Sequence, residues 1–302
     1  MTNTAINFHK PTLKDKTWVD EVLKSSRHRG CFYTFAQLFA WSCMYNTYIA
    51  RHKNAFLAIG CKGETPLYIY PAGTYDITEI VQILKKDAEA RGADTLKFVA
   101  IEPFQKEELE QFFPGEFEFF EMRDSADYLY NADDLINLPG KKYHKKRNHI
   151  SQANRKYPNW EYEALSQDNL RDFLECALSW KLLTSDGKPE FEADFCALDR
   201  SLRHFGALGL IGGAIRIGEK IVAFTLGERL NDDTFVIHFE KALPEFAGCY
   251  PLINREFAAR NLSGYAYINR EEDMGIEGLR KAKLSYYPET ILMKYFAVMK
   301  QK

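Results

Sequence analysis

The chain has 302 residues, of which 46% are hydrophobic, 14% aromatic and 27% charged, with 18 glycines and 11 prolines. These values lie in the globular range and exclude a disordered, collagen-like or linker-dominated polymer, and the length predicts two domains. The net charge is −2, but residues 1–139 carry 15 Lys/Arg against 20 Asp/Glu while residues 140–302 carry 25 against 22, so the basic excess lies in the second half.

The first residues, Met1 to Asp15, contain no apolar core of a signal peptide, which predicts a cytoplasmic protein. Cysteines at 31, 43, 61, 176, 196 and 249 are too far apart for a CxxC metal or redox motif and read as reduced, buried thiols. Gly30 to Ala50 is free of charge and long enough to cross a bilayer. It holds only two Leu/Ile/Val residues and seven aromatics, which favours a buried segment and helix over a span. The alternative is an aromatic face resting on a membrane interface.

Asn54–Gly60 and Thr65–Tyr70 then read as a hairpin, followed by a loop at Pro71–Tyr75. Asp76 with Glu79 starts a helix to Arg91, and Gly92 stops it. Its apolar stripe is Ile77, Ile80, Val81, Leu84 and Ala88. Strand Thr95–Ile101, helix Gln105–Phe112, and strands near Glu116–Glu121 and Asp127–Tyr130 follow. In the second half come strand Trp160–Leu165 and helices Asp168–Leu183 and Glu190–His204. Leu208–Ile217 and Lys220–Leu230 then form a hairpin over Gly218-Glu219, and Asp233–Lys241 is a third strand. The loop Ala242–Gly248 leads into helix Cys249–Asn261, strand Gly264–Asn269, a helix around Gly275–Leu284 and strand Glu289–Met299.

Each half therefore runs strand, strand, loop, helix, strand, helix, strand. That order resembles the GNAT-like acyltransferase fold, an α/β (α+β) architecture whose mixed sheet splays open in its centre. The expectation is a tandem of such domains, 1–135 and 136–302, with the boundary in Ala132–Pro158. The first-half loop keeps one glycine and no basic cluster, so the active cleft is expected in the second half and the first domain is expected to be degenerate.

Three segments carry candidate chemistry. The loop Leu243–Tyr250 resembles the GNAT donor loop, in which backbone N–H groups at a helix start face a phosphate; Gly248 is present, but the Arg and the second Gly of the pattern are not. Gly140–Lys156 holds seven Lys/Arg, two His and no acid. Tyr143, Arg147, Ile150, Asn154 and Tyr157 would pack, leaving Lys141, Lys142, Lys145 and Lys146 facing out as a solvated linker or a polyanion-binding face. Asn269–Pro288 follows the end of a sheet strand and carries Arg270, Asp273, Arg280 and Lys283. Cations there would neutralise a phosphate or a developing oxyanion, or simply form ion pairs on a surface helix. His238 shares a strand face with Glu240 and reads as a core or surface polar residue.

Together, Asn269–Pro288, Gly140–Pro158 and Cys31–Trp41 resemble the C-terminal domain of bacterial phosphatidylglycerol lysyltransferase, a family related to the Fem-type aminoacyltransferases. The most specific part is Gly278–Pro288, which fits G-L-x-x-x-K-x-x-[FY]-x-P. The resemblance implies aminoacyl transfer from aminoacyl-tRNA to an amine or hydroxyl of a lipid head group, a peptidoglycan precursor or a peptide, with no cofactor or metal required. It implies Lys283 as the cation near the tRNA 3′ end or acceptor phosphate; Arg280 is expected beside it in phosphate or oxyanion contact. Glu240 or Asp273 would take the acceptor proton. Lys141, Lys142, Lys145, Lys146 and Arg147 would hold the acceptor stem, with Arg270, Gly248 and Tyr286 lining the substrate site. The membrane domain that precedes this module in the full-length lysyltransferases has no counterpart in the sequence. The alternatives are an acyl-CoA-dependent N-acyltransferase and a non-catalytic module binding RNA or an anionic membrane at its periphery.

Overall fold

The computed structural model describes residues 6–24, 26–42, 44–62, 65–184 and 189–301. Its strands are β1 (Tyr48–His52), β2 (Asn54–Lys62), β3 (Thr65–Thr74), β4 (Lys97–Ile101), β5 (Phe117–Glu121), β6 (Asp127–Asn131) and β7 (Trp160–Ala164). They continue as β8 (Ile211–Ile217), β9 (Lys220–Arg229), β10 (Thr234–Ala242), β11 (Tyr267–Asn269), β12 (Thr290–Leu292) and β13 (Tyr295–Met299). One sheet has the order β1-β2-β3-β4-β13-β5 and the other β12-β6-β11-β10-β9-β8-β7.

Two compact units result, one of residues 1–127, 272–280 and 291–302, the other of 128–271 and 281–290. The expected linear cut at 135/136 does not follow these units, because both are discontinuous in sequence. The segment expected as one strand, Glu289–Met299, breaks at Met293-Lys294, and β13 pairs with β4 and β5 of the first sheet. β6 pairs with β11 in the second sheet.

Local signals explain most elements. Asp76 caps helix Ile77–Ala90 by accepting from the Thr78 and Glu79 amides, and Ile77, Ile80, Val81, Leu84 and Ala88 are buried as the stripe requires. Each large side chain in that stripe contributes roughly 1.5–3 kcal/mol. β9 is central and buried from Ile221 to Glu228, so it reads as a continuous apolar run rather than an alternation. The aromatic segment after Gly30 forms helix Phe35–Trp41 with a buried core-facing side, and its tail becomes β1 instead of more helix. Among the described cysteines Cys31, Cys176 and Cys249 are buried, but Cys196 is exposed, against expectation; Cys43 and the Cys61 side chain lie outside the described residues.

Both sheets splay where two parallel strands part. β3 meets β4 only at Tyr68↔Phe98 and Ile69↔Val99, yet runs on to Thr74, so Pro71–Thr74 is strand and not loop. β10 meets β11 only from Thr234↔Tyr267 to Val236↔Asn269, yet runs on to Ala242. In the first unit the Tyr70 carbonyl, beyond the last β4 pair, accepts from the Tyr33 hydroxyl at 3.3 Å. Gln105 Nε2 donates to that Tyr33 oxygen at 2.8 Å, and Tyr70 donates to Glu108 at 2.7 Å. Large buried aromatic side chains thus close the first opening.

Candidate functional site

The second opening is polar. β11 ends at Asn269, and Arg270 turns back toward the free half of β10, where its Nη2 meets Glu240 Oε1 at 2.8 Å. Glu240 Oε2 accepts from Asn254 Nδ2 at 3.0 Å and from Thr225 Oγ1 at 3.3 Å. The guanidinium lies 4.8 Å from the Tyr286 ring centre and 5.5 Å from that of Tyr130. Burial alone would favour the neutral form of Arg270, but the Glu240 carboxylate outweighs it and holds the pKa above the usual arginine value.

The turn that aims Arg270 is held from several sides. Glu271 has a left-handed φ of 57°, a conformation that costs a non-glycine residue energy unless its surroundings impose it. Here the Glu271 amide donates to Asn269 Oδ1 at 2.7 Å, and its carbonyl accepts from the Tyr128 amide at 3.2 Å and from Lys283 Nζ at 3.0 Å. Lys283 Nζ also donates to the Arg270 carbonyl at 2.6 Å. Expected as a phosphate-facing cation, Lys283 is instead only 8% exposed and caps the carbonyls of the strand end that the splay strips of partners.

The Glu271 side chain accepts from His238 Nδ1 at 2.7 Å, and His238 Nε2 donates to Glu228 at 3.0 Å. His238 sits at the register shift in β10. Burial disfavours its charge, but the two carboxylates prevail and push its pKa up to about 9. His238, expected as a core or surface polar residue, makes a bridge that sequence spacing does not reveal, because Glu228 and Glu271 come from separate segments.

The basic segment forms helix His144–Lys156 with Ile150 and Ala153 buried. Tyr143, also buried, donates to the Tyr286 carbonyl at 2.8 Å. Lys146 does not face out as expected: its Nζ stands over the Tyr286 ring at 3.8 Å and donates to Ser285 Oγ at 2.6 Å. Burial, together with the charge of Arg270, pulls the Lys146 pKa down to about 8. Arg147 turns inward, its Nη1 donating to the Leu138 and Gly140 carbonyls at 2.5 and 2.8 Å. Lys142 pairs with Asp134 at 2.9 Å, whereas Lys141 and Lys145 are exposed. Asn154, expected to pack, is exposed.

Gly248 has φ +84°, and a Cβ there would lie 2.6 Å from the His149 carbonyl. Its lack of a Cβ therefore lets the loop approach the basic helix at His149 and Ala153. Arg280 and Asp273 belong to the first unit and are spoken for. Arg280 grips Asp273 through two 2.8 Å bonds and Asp124 at 2.6 Å, and Arg123 meets Asp273 at 3.2 Å. Asp273 is fully buried in this network, so the proton-acceptor and oxyanion roles expected for the pair are replaced by a structural one.

Two atoms at the Glu240 pair stand out. Arg270 Nη1 and Asn254 Oδ1 are buried and have no hydrogen-bond partner among the described residues. Leaving a buried donor or acceptor unmade costs about 1–3 kcal/mol, so a paired orphan donor and acceptor at a splayed strand end are what a ligand would complete. Asn254, Thr225 and Tyr130 were not singled out from sequence; an asparagine inside helix Cys249–Asn261 was the one available hint. Among the described residues no group of His, Cys, Asp and Glu is arranged to hold a metal ion, and no helix is long and apolar enough to cross a membrane.

Comparison with known proteins places the family and the fold. A family model described as phosphatidylglycerol lysyltransferase, C-terminal, matches residues 23–298. A crystal structure of a conserved protein of unknown function from Bacteroides thetaiotaomicron is 38% identical, with TM-score 0.94, covering 98% of this chain and 100% of that one. L-PGS from Bacillus licheniformis is 14% identical with TM-score 0.67, over 97% of this chain and 93% of that one, a likeness of fold. A tandem GNAT protein from the clavulanic acid biosynthesis pathway is 9% identical with TM-score 0.51, over 98% and 99% of the two chains. An uncharacterised protein of Mycoplasmoides gallisepticum is 25% identical over 177 residues, so the match spans about half (55%) of that curated relative's length and 57% of this chain. The chain belongs to the phosphatidylglycerol lysyltransferase C-terminal family and has the fold of a tandem of GNAT-like units.

Proposed function

We propose that the second unit transfers an aminoacyl group from aminoacyl-tRNA to an amine or hydroxyl acceptor, in the gap between β10 and β11. The observation that carries this reading is the pair of orphaned atoms beside Glu240. An aminoacyl ester offers one acceptor and one donor group, its carbonyl oxygen and its α-ammonium. The carbonyl would accept from Arg270 Nη1, and the ammonium would donate to Asn254 Oδ1 with the Glu240 charge close by. As the acceptor attacks, negative charge grows on that carbonyl oxygen, and a donor fixed by Glu240, Tyr130 and Tyr286 stabilises it without reorganising. The exposed Lys141 and Lys145 would meet the tRNA backbone. The acceptor belongs to the class of lipid head groups, peptidoglycan precursors and peptides, and the donor places the reaction in the cytoplasm.

The test measures labelled amino acid passed from charged tRNA to vesicles containing phosphatidylglycerol or to a peptidoglycan precursor, with acyl-CoA as the competing donor. Arg270→Gln should lower kcat by roughly 10²–10³, the loss typical of one oxyanion donor, while tRNA affinity stays within a factor of two. Full turnover by Arg270→Gln, or transfer from acyl-CoA alone, would refute the reading.

A further inference from the structure

An acceptor that attacks an ester must lose a proton, and the residues first expected to take it are engaged. Both oxygens of Glu240 are held, by Arg270, Asn254 and Thr225. Asp273 is buried among Arg123, Arg280 and the Gly275 amide in the first unit. His238 keeps its proton between Glu228 and Glu271.

Lys146 is different. Its ammonium nitrogen has one side-chain hydrogen bond, to Ser285, and otherwise lies against the face of Tyr286, the ring that Arg270 also stacks on. It stands at the edge of the gap and is half-buried. We propose that Lys146 is the catalytic base of the second-unit site, an assignment that rests on the transfer reading above. The neutral amine takes the proton from the acceptor N–H or O–H as that atom bonds to the ester carbonyl carbon. The carbonyl electron pair moves onto oxygen facing Arg270. On collapse the bond to the tRNA 3′ oxygen breaks, and the Lys146 ammonium returns its proton to that oxygen, so no other reagent is consumed.

The surroundings make a lysine usable for this. An ordinary lysine titrates near 10.4 and is almost never neutral at physiological pH. Burial and the Arg270 charge lower Lys146 to about 8, with Glu240 opposing them from β10. At pH 7.5 about a quarter of the molecules then carry the free amine, close to the match between base and working pH that proton transfer favours. A phosphate-holding lysine would gain nothing from such a shift.

The experiment has two arms on the full chain. In the first, kcat for aminoacyl transfer is followed from pH 6 to 9.5. The wild type should rise to a plateau with a midpoint near 8. Lys146→Arg keeps a cation but cannot act as base, so it should lose about 10²–10⁴ in kcat and the acid limb, with the tRNA KM nearly unchanged. If Lys146→Arg turns over within threefold of the wild type and keeps the limb, the assignment is wrong. In the second arm, trinitrobenzenesulfonate labelling is read peptide by peptide. Lys146 should half-react near pH 8, and Arg270→Gln should move that midpoint upward. A Lys146 midpoint at 10 or above overturns the base assignment alone. Absence of transfer by the wild type from any charged tRNA overturns the transfer reading, and the base role with it.

Discussion

Lys283→Met tests the reading of the strand end directly. The substitution keeps an unbranched apolar stem and removes the ammonium that donates to the Arg270 and Glu271 carbonyls at 2.6 and 3.0 Å. It also removes a cation 5.7 Å from the Tyr128 ring centre. A hydrogen bond to a charged group is worth about 1.5–3 kcal/mol, and a buried carbonyl left bare adds its desolvation cost. The Glu271 carbonyl retains the Tyr128 amide at 3.2 Å, so the larger penalty falls on Arg270. The expected loss is about 2–4 kcal/mol, which for a unit of this size lowers Tm by roughly 4–15 °C. Differential scanning calorimetry and urea melts should both show it, and transfer should fall because Arg270 is no longer aimed at Glu240. An exposed phosphate-binding lysine would instead lose activity with Tm essentially unchanged. A melting temperature within 1 °C of the wild type would therefore refute the capping role.

The bridge through His238 makes stability depend on pH. The folded imidazole holds its proton to about pH 9, whereas the unfolded one releases it near 6.5, so the contribution is complete below about 6.5 and is lost as pH rises through 9. Urea unfolding of the wild type should weaken by up to about 3 kcal/mol between pH 6 and 9.5, and His238→Gln should flatten that trend; parallel trends would remove the bridge from the account. Double charge reversal, Lys141→Glu with Lys145→Glu, should weaken tRNA binding and flatten log K against log salt by roughly 0.7–0.9 for each phosphate no longer neutralised, without altering the melt. If the slope is unchanged, the exposed face of helix His144–Lys156 does not meet tRNA; loss of binding to anionic vesicles instead would make it a membrane face.

Elements with local determinants were legible in the sequence. The Asp76 cap, the turn at Gly218-Glu219 and the stripe on helix Ile77–Ala90 each depend on residues a few positions apart. The exchange of β6 and β13 between sheets was not, because strand pairing at such separation leaves no local mark. Pro71–Thr74 read as a loop since proline and glycine there signal one. They are tolerated because β3 has parted from β4 beyond Ile69, so the missing proline N–H breaks no bond on that side, and the β2 register shifts at the same place. Gly73, at φ +96°, has the Asn54 carbonyl where a Cβ would go.

The site was legible in its members more than in their roles. Glu240, Arg270, Tyr286 and Lys146 all converge on the second opening, which follows from adjacent strand ends and the helix packed beside them. Their division of labour depends on partners that spacing does not reveal. A lysine or arginine in sequence is simply a charge; in the fold, the acceptors already around it decide what remains to bind a substrate. Lys283 Nζ and Arg147 Nη1 donate to backbone carbonyls, and Arg280 to two aspartates. Arg270 keeps its buried Nη1 without a hydrogen-bond partner, and Lys146 sits in an environment that favours losing its proton. The first unit carries the same splay, but there Tyr33 takes the stranded carbonyl and aromatic rings fill the space. Chemistry at a splayed sheet thus requires that the opening be lined by groups whose hydrogen bonding is left incomplete, as Arg270 Nη1 and Asn254 Oδ1 are at the second opening.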